Sequence, residues 1–225
     1  VGASLAVFIG SSAVVEKSFF AVVFTAAGLR FAGVAGLVLF VVFYMRRAFD
    51  TKDVEFLLAR PLSRVSFLLS HASAFSLLAI FMAGVIVFVA AFLSPQGIEG
   101  ESLALWGVSL MAEFVIMVNA ALFFSMVLSS AVGGVLASGG LYILARLMGE
   151  ILGVLDMAQP LPLYSFLSYV MKIVSLIVPR LDLMGQTSWL LYGAGGDVGI
   201  LYVLAQGAIY STLLVCASLV ELTRR

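Results

Sequence analysis

The chain alternates long apolar runs with short polar breaks. The runs cover about Val1–Val15, Ala21–Met45, Val65–Leu93, Leu103–Leu128, the stretch from the Gly133-Gly134 turn region to about Leu155, and Val198–Val220. Breaks fall at Glu16-Lys17, Arg46-Arg47, Ser94-Pro95-Gln96-Gly97 and Arg224-Arg225. Most runs reach the roughly 20 residues that a helical span requires. Lipid admits only helices or closed barrels, since backbone polar groups find no water there. Continuous rather than alternating apolar character selects helices. The pattern predicts an all-α polytopic membrane protein, one domain over residues 1–225, with about six transmembrane helices. The opening run would rise only about 22 Å as a helix, short for a hydrocarbon core of roughly 30 Å. We therefore expect the natural chain to begin earlier and its first span to be cut. A run that is apolar from Val1 onward argues against a cleaved signal peptide.

Residues 156–197 separate the last two spans. Within them Leu163, Phe166, Leu167, Val170, Met171, Val174, Ile177 and Val178 share one helical face, while Ser165, Ser168, Lys172 and Ser175 share the other. Pro160 and Pro162 precede this helix and Pro179 ends it. It is too short and too two-faced for a span, so an external or re-entrant helix is expected.

Composition agrees with a membrane protein. The chain is 63% hydrophobic and 11% charged, with a mean hydropathy of +1.20, far too little charge for a soluble surface. Zero net charge gives no reason to expect nucleic acid as a partner. The single cysteine, Cys216, excludes a disulfide framework and a cysteine-rich metal site, and is expected to be a small packing residue. The single histidine, His71, excludes a bis-histidine haem or an HExxH site. No serine is singled out as its partner for hydrolysis.

The segment Arg46–Arg64 holds eight of the 24 charged residues. Asp50 or Thr51 can cap a short helix, and Asp53 and Glu55 sit in its first turn, where the helix dipole favours acids. Val54, Leu57 and Leu58 share a face, Pro61 ends the helix and biases Arg60 to an extended conformation, and Ser63 or Ser66 can cap the next span. A solvated loop is the plain alternative. The definite apolar face and the interleaved acids and bases argue against it. If this loop is cytoplasmic, that side receives Arg46, Arg47, Lys52, Arg60, Arg64, Arg224 and Arg225, against Lys17, Lys172 and Arg180 opposite. The positive-inside rule then places both termini in the cytoplasm.

Phe49-Asp50-Thr51-Lys52-Asp53-Val54-Glu55-Phe56-Leu57-Leu58-Ala59-Arg60-Pro61-Leu62-Ser63-Arg64 resembles the coupling segment of ABC-2 type transporter permeases. Those carry a phenylalanine and acid, a Gly/Thr–x–x–Glu stretch, a double leucine and a Ser/Ala–Arg/Lys–Pro–x–Ser–Arg ending; Lys52 stands where many relatives have glycine. Val178-Pro179-Arg180-Leu181-Asp182-Leu183 resembles a second, weaker stretch of the same proteins. The resemblance implies the membrane subunit of an ABC exporter in a bacterial inner membrane. Such subunits form homodimers or heterodimers in lipid, and separate ATPase subunits dock on their coupling helices. Asp50, Asp53, Glu55, Leu57, Leu58, Arg60, Pro61 and Arg64 are the expected docking residues. ATP and Mg would belong to the partner, with no cofactor in this chain and no enzyme activity of its own. A P-loop needs glycine directly before its lysine, whereas Lys17-Ser18 follows Glu16.

Arg30, Glu113, Arg146 and Glu150 fall at similar depth inside the expected spans, and Trp106 is expected as an interface anchor about 10 Å from Glu113. Charges at such depth face a bundle interior, a cavity or each other. Pairing of Glu113 with Arg146 or Arg30, and an i, i+4 pair of Arg146 with Glu150, are expected. Such a cluster is either structural or a gate or substrate contact. Asn119 and the small-residue ladders Gly28, Ala32, Gly36 and Gly133, Ala137, Gly140 suit helix packing. Two rival functions remain at this point: an ion-coupled secondary transporter with Glu113 as carrier, and a non-transporting anchor or assembly factor.

Overall fold

The computed structural model describes residues 17–51, 63–93, 100–157, 162–193 and 198–224. Five long helices are apolar enough to cross a membrane: α1 (Lys17–Asp50), α2 (Arg64–Leu93), α3 (Gly100–Val127), α4 (Ala131–Met157) and α7 (Ile200–Arg224). Between α4 and α7 lie α5 (Pro162–Ile177), a 3₁₀ turn at Leu181–Leu183 and the short α6 (Trp189–Tyr192). Among the described residues the structure is all-helical, that of a polytopic helical membrane protein. The expected first span, residues 1–15, lies outside them.

The central helix is α3, packed on α1, α2, α4 and α7. Its sequence explains this place. Leu110, Phe114, Met117, Ala121 and Leu122 bury one side, and Ile116, Val118 and Ala120 bury another, so it is apolar all round. Close approaches occur where glycine removes a side chain. A Cβ on Gly33 of α1 would stand 2.7 Å from the Phe114 ring, and one on Gly207 of α7 would stand 3.1 Å from Ala112. Trp106 is fully buried in α3 rather than anchoring an interface, and its indole nitrogen has no hydrogen-bond partner among the described residues. Asn119 joins α3 to α2 by donating to Ser76 Oγ at 3.2 Å and to the Val115 carbonyl at 2.8 Å.

Several local expectations are revised. Gly133 and Gly134 lie inside α4; the turn comes just before, where the Ser130 hydroxyl accepts from Gly133 N–H at 3.4 Å and its carbonyl from Gly134 N–H at 3.0 Å. Helix α1 continues past Met45 to Asp50, and the Thr51 N–H closes its last turn on the Arg47 carbonyl at 2.9 Å; the short helix that Asp50 or Thr51 is expected to cap lies outside the described residues. Ser63 caps α2, its hydroxyl accepting from Ser66 N–H at 3.1 Å. Gly28, Ala32 and Gly36 face outward, with open space around both glycines. Cys216 is exposed on α7 rather than packed. On α5, Ser168 is buried, while Phe166, Tyr169, Ile173, Leu176 and Ile177 point away from the bundle. That helix therefore turns much of its apolar surface outward, an arrangement that suits contact with lipid.

Candidate functional site

The bundle has two polar ends. At one end, Arg46 of α1 donates to the Leu128 carbonyl at 3.3 Å, and Arg64 of α2 donates to the carbonyls of Leu222 at 3.1 Å and Thr223 at 3.2 Å. These are the last carbonyls of α3 and α7, which have no intrahelical donors and carry the negative end of the helix dipole. Arg46 also lies 3.8 Å from the exposed Asp50. The two arginines thus hold both flanks of the coupling-like segment against helix ends. Lys52, Asp53, Glu55, Leu57, Leu58, Arg60 and Pro61 lie outside the described residues.

Towards the other end the backbone between α5 and α7 runs inward. Leu181, Met184 and Leu190 are buried. The 3₁₀ turn packs on α4, and α6 packs on α3 and α1. Tyr210 of α7 steadies the entry by donating to the carbonyls of Leu176 at 3.0 Å and Val178 at 3.2 Å. Non-helical backbone inside an apolar bundle leaves carbonyls without donors, and it persists only where protein supplies them. Two arginines do so. Arg30 of α1, about 20 Å along its helix from Lys17, donates to the carbonyls of Met184 at 3.1 Å and of Gly185. Arg146 of α4 donates to the carbonyls of Leu181, of Met184 at 2.7 Å and of Gly185 at 3.5 Å. Gly185 adopts φ +52°, and a Cβ there would stand 3.1 Å from Arg30 Nη2. Glycine both permits the left-handed turn and leaves room for the guanidinium.

Glu113 of α3 completes the group. Its Oε1 accepts from Arg30 Nε at 2.9 Å, and its Oε2 pairs with Arg30 Nη2. Both side chains are buried, Glu113 completely. This fork-to-carboxylate geometry is the strong form of an ion pair. Tyr142, one turn before Arg146, is buried close to these charges. Of the two partners expected for Glu113, the structure brings in Arg30. Arg146 turns instead to the backbone of residues 181–185, and among the described residues no ion pair joins it to Glu150, which is exposed.

A second pair holds the turn from outside the spans. Arg180 Nη2 donates to Asp182 Oδ2 at 2.7 Å, with Nε at 2.9 Å from Oδ1. These hydrogen bonds push the guanidinium further above its ordinary range. Gly149 of α4 lets Asp182 approach, since a Cβ there would stand 2.6 Å from Asp182 Oδ2. Between α4 and the turn opens a polar pocket of about 470 Å³ bordered by Arg146, Glu150 and Asp182. Tyr142, Gly149 and Gly185 were not singled out by sequence. For the Arg180–Asp182 pair the one signal was the Val178–Leu183 stretch, whose arginine and acid stand two residues apart.

His71, on α2, sits among aromatic rings. Its Nδ1 lies 2.9 Å from the Phe67 carbonyl, and the rings of Phe67, Tyr44 and Phe75 surround it. Among the described residues no group of three or more His, Cys, Asp or Glu side chains could hold a metal ion. No protein-family model matches the chain, and neither does a curated protein or a solved structure.

Proposed function

We propose that this protein is the membrane subunit of an ABC-2 type exporter, powered by separate ATPase subunits that dock on the segment Asp50–Arg64. The observation that carries the reading is the motif in that segment, from Phe49-Asp50 to Arg60-Pro61-Leu62-Ser63-Arg64. Its setting supports it. Both flanks are fixed to the C-terminal carbonyls of α3 and α7, so a push on the segment reaches the central helix directly. The same helix carries Glu113 to the re-entrant backbone at the far end. In this reading the bundle works as a dimer in an inner membrane with both termini cytoplasmic, ATP and Mg stay in the partner, and Leu57 and Leu58 fill an apolar groove on it. Glu113 as an ion carrier has less support. Both carboxylate oxygens are engaged by one arginine and the side chain is fully buried, so exchange with solvent would first have to break that pair.

The test starts from the adjacent reading frame: a P-loop ATPase found there is co-expressed with this chain, followed by pull-down and ATP turnover. The purified chain alone should hydrolyse no ATP, and the complex should. Truncating a buried interface anchor costs about 2 kcal/mol or more, roughly thirtyfold in affinity. Leu57→Ala with Leu58→Ala should therefore release the ATPase while insertion is unchanged, and Lys52→Ala should do little. Turnover by the chain alone, or a complex indifferent to the double leucine change, would remove the reading.

A further inference from the structure

The polar pocket between α4 and the 3₁₀ turn is framed by Arg146, Glu150, Asp182, Gln186, Thr187 and Ser188. At about 470 Å³ it falls within the size range of small-ligand sites. Three observations decide what it suits. First, Arg146 is not exhausted by the re-entrant backbone. Among the described residues its hydrogen bonds use Nη1 twice and Nη2 once, and a guanidinium has five N–H donors. The Nε–H and one Nη2–H remain for an oxyanion. Second, Glu150 stands one turn along the same helix, exposed, with no hydrogen bond or ion pair among the described residues. Side chains so spaced lie about 5–6 Å apart at Cβ. Third, Asp182 is already neutralised by Arg180, so the uncommitted charges facing the cavity are part of one guanidinium and one carboxylate. Gln186, Thr187 and Ser188 add neutral hydrogen-bonding groups. Glu150 lies about 10 Å from the Met157 end of α4, a depth near the boundary of the hydrocarbon core.

We propose that this pocket binds a zwitterion carrying an oxyanion and an amine a short bridge apart, as in phosphoethanolamine. The oxyanion accepts from the spare N–H groups of Arg146, and the ammonium donates to Glu150. A purely anionic ligand would meet the Glu150 carboxylate, and a purely cationic one would meet Arg146. The chemistry could come from a lipid headgroup or from a free solute. As a cargo or cargo-entry site the pocket rests on the exporter reading. The binding itself is measured on the chain alone and stands or falls without the ATPase.

The full chain is placed in nanodiscs with equal amounts of phosphatidylethanolamine and phosphatidylglycerol, extracted, and the retained lipid quantified by mass spectrometry. In a second arm, O-phosphoethanolamine or inorganic phosphate is added to detergent-purified chain, and amide exchange is followed at residues 186–188. A charge-assisted hydrogen bond predicts about tenfold enrichment of phosphatidylethanolamine. Glu150→Gln should erase it, while Glu101→Gln, an exposed acid on α3, should not. Protection by O-phosphoethanolamine but not by phosphate would extend the site to free zwitterions; enrichment without protection would assign it to the lipid headgroup. Glu150 is exposed, so its variant should fold, and unchanged exchange at residues 181–185 checks that the backbone stays seated. Equal retention of both lipids with no protection by O-phosphoethanolamine would overturn the proposal, as would enrichment that survives Glu150→Gln.

Discussion

Replacing Glu113 by alanine tests the account of the buried backbone at residues 181–185 most directly. The change leaves Arg30 buried, 4% exposed, with its Nε and part of its Nη2 facing a void. Removing one partner of a buried ion pair typically costs about 3–5 kcal/mol, because the other charge stays desolvated. Polar pairs inside membrane bundles average nearer 0.6 kcal/mol, since their groups find other partners when the helices separate. The larger figure should win here. A guanidinium about 20 Å from its helix end has no lipid partner within reach, and Glu113 is fully buried. Reversible unfolding in mixed micelles gives the global value, and amide exchange at Met184 and Gly185 gives the local one. The double change Arg30→Met with Glu113→Leu removes both charges and should cost less than Glu113→Ala alone, although it frees the two backbone carbonyls that Arg30 serves. By contrast, Asp182→Asn breaks a pair that is 26% and 11% exposed and should cost no more than about 1 kcal/mol. A Glu113→Ala cost below about 1 kcal/mol in an inserted, folded protein would refute the reasoning.

Gly149→Ala places a methyl 2.6 Å from Asp182 Oδ2. It should cost about 1–3 kcal/mol by overpacking and raise amide exchange at residues 181–183 without altering that of α2 or α3. Orientation is open to cysteine labelling once Cys216 is replaced: positions 52 and 223 should react only with reagents that reach the cytoplasm, positions 96 and 195 from outside, and outside labelling at position 52 would reverse the proposed topology.

Helix positions were largely legible because lipid imposes a single rule on sequence. The run read as Val65–Leu93 is α2 at Arg64–Leu93, and Leu103–Leu128 is α3 at Gly100–Val127. Boundaries were poorer where glycine or charge lies inside a helix. Gly133 and Gly134 read as a turn from sequence, yet they lie inside α4 because the Ser130 cap starts the helix before them. Arg46 and Arg47 mark the end of the apolar run, and the helix continues for another turn beyond it. The depth of Arg30, Glu113 and Arg146 followed from counting residues along helices. What those arginines serve did not. Their partners are backbone carbonyls of residues 181–185, and a carbonyl has no side-chain identity to read. The i, i+4 rule favoured Arg146 with Glu150, but unpaired carbonyls in an apolar interior are the stronger demand for a donor. Trp106 was misplaced for a related reason. Hydropathy gives its depth along α3 but not its direction around it, and it points into the core.

The anchoring of Arg46 and Arg64 has an evolutionary consequence. Each grips a different helix end, so the positions where the chain leaves and re-enters the bundle are set by contacts outside the segment between them. For a loop with fixed ends, each doubling of length adds only about 0.6 kcal/mol of closure entropy. The stretch between these arginines can therefore be lengthened, shortened or exchanged with little penalty to the bundle. It behaves as a cassette whose recognition chemistry can drift with a binding partner while the helices that carry it stay under separate selection.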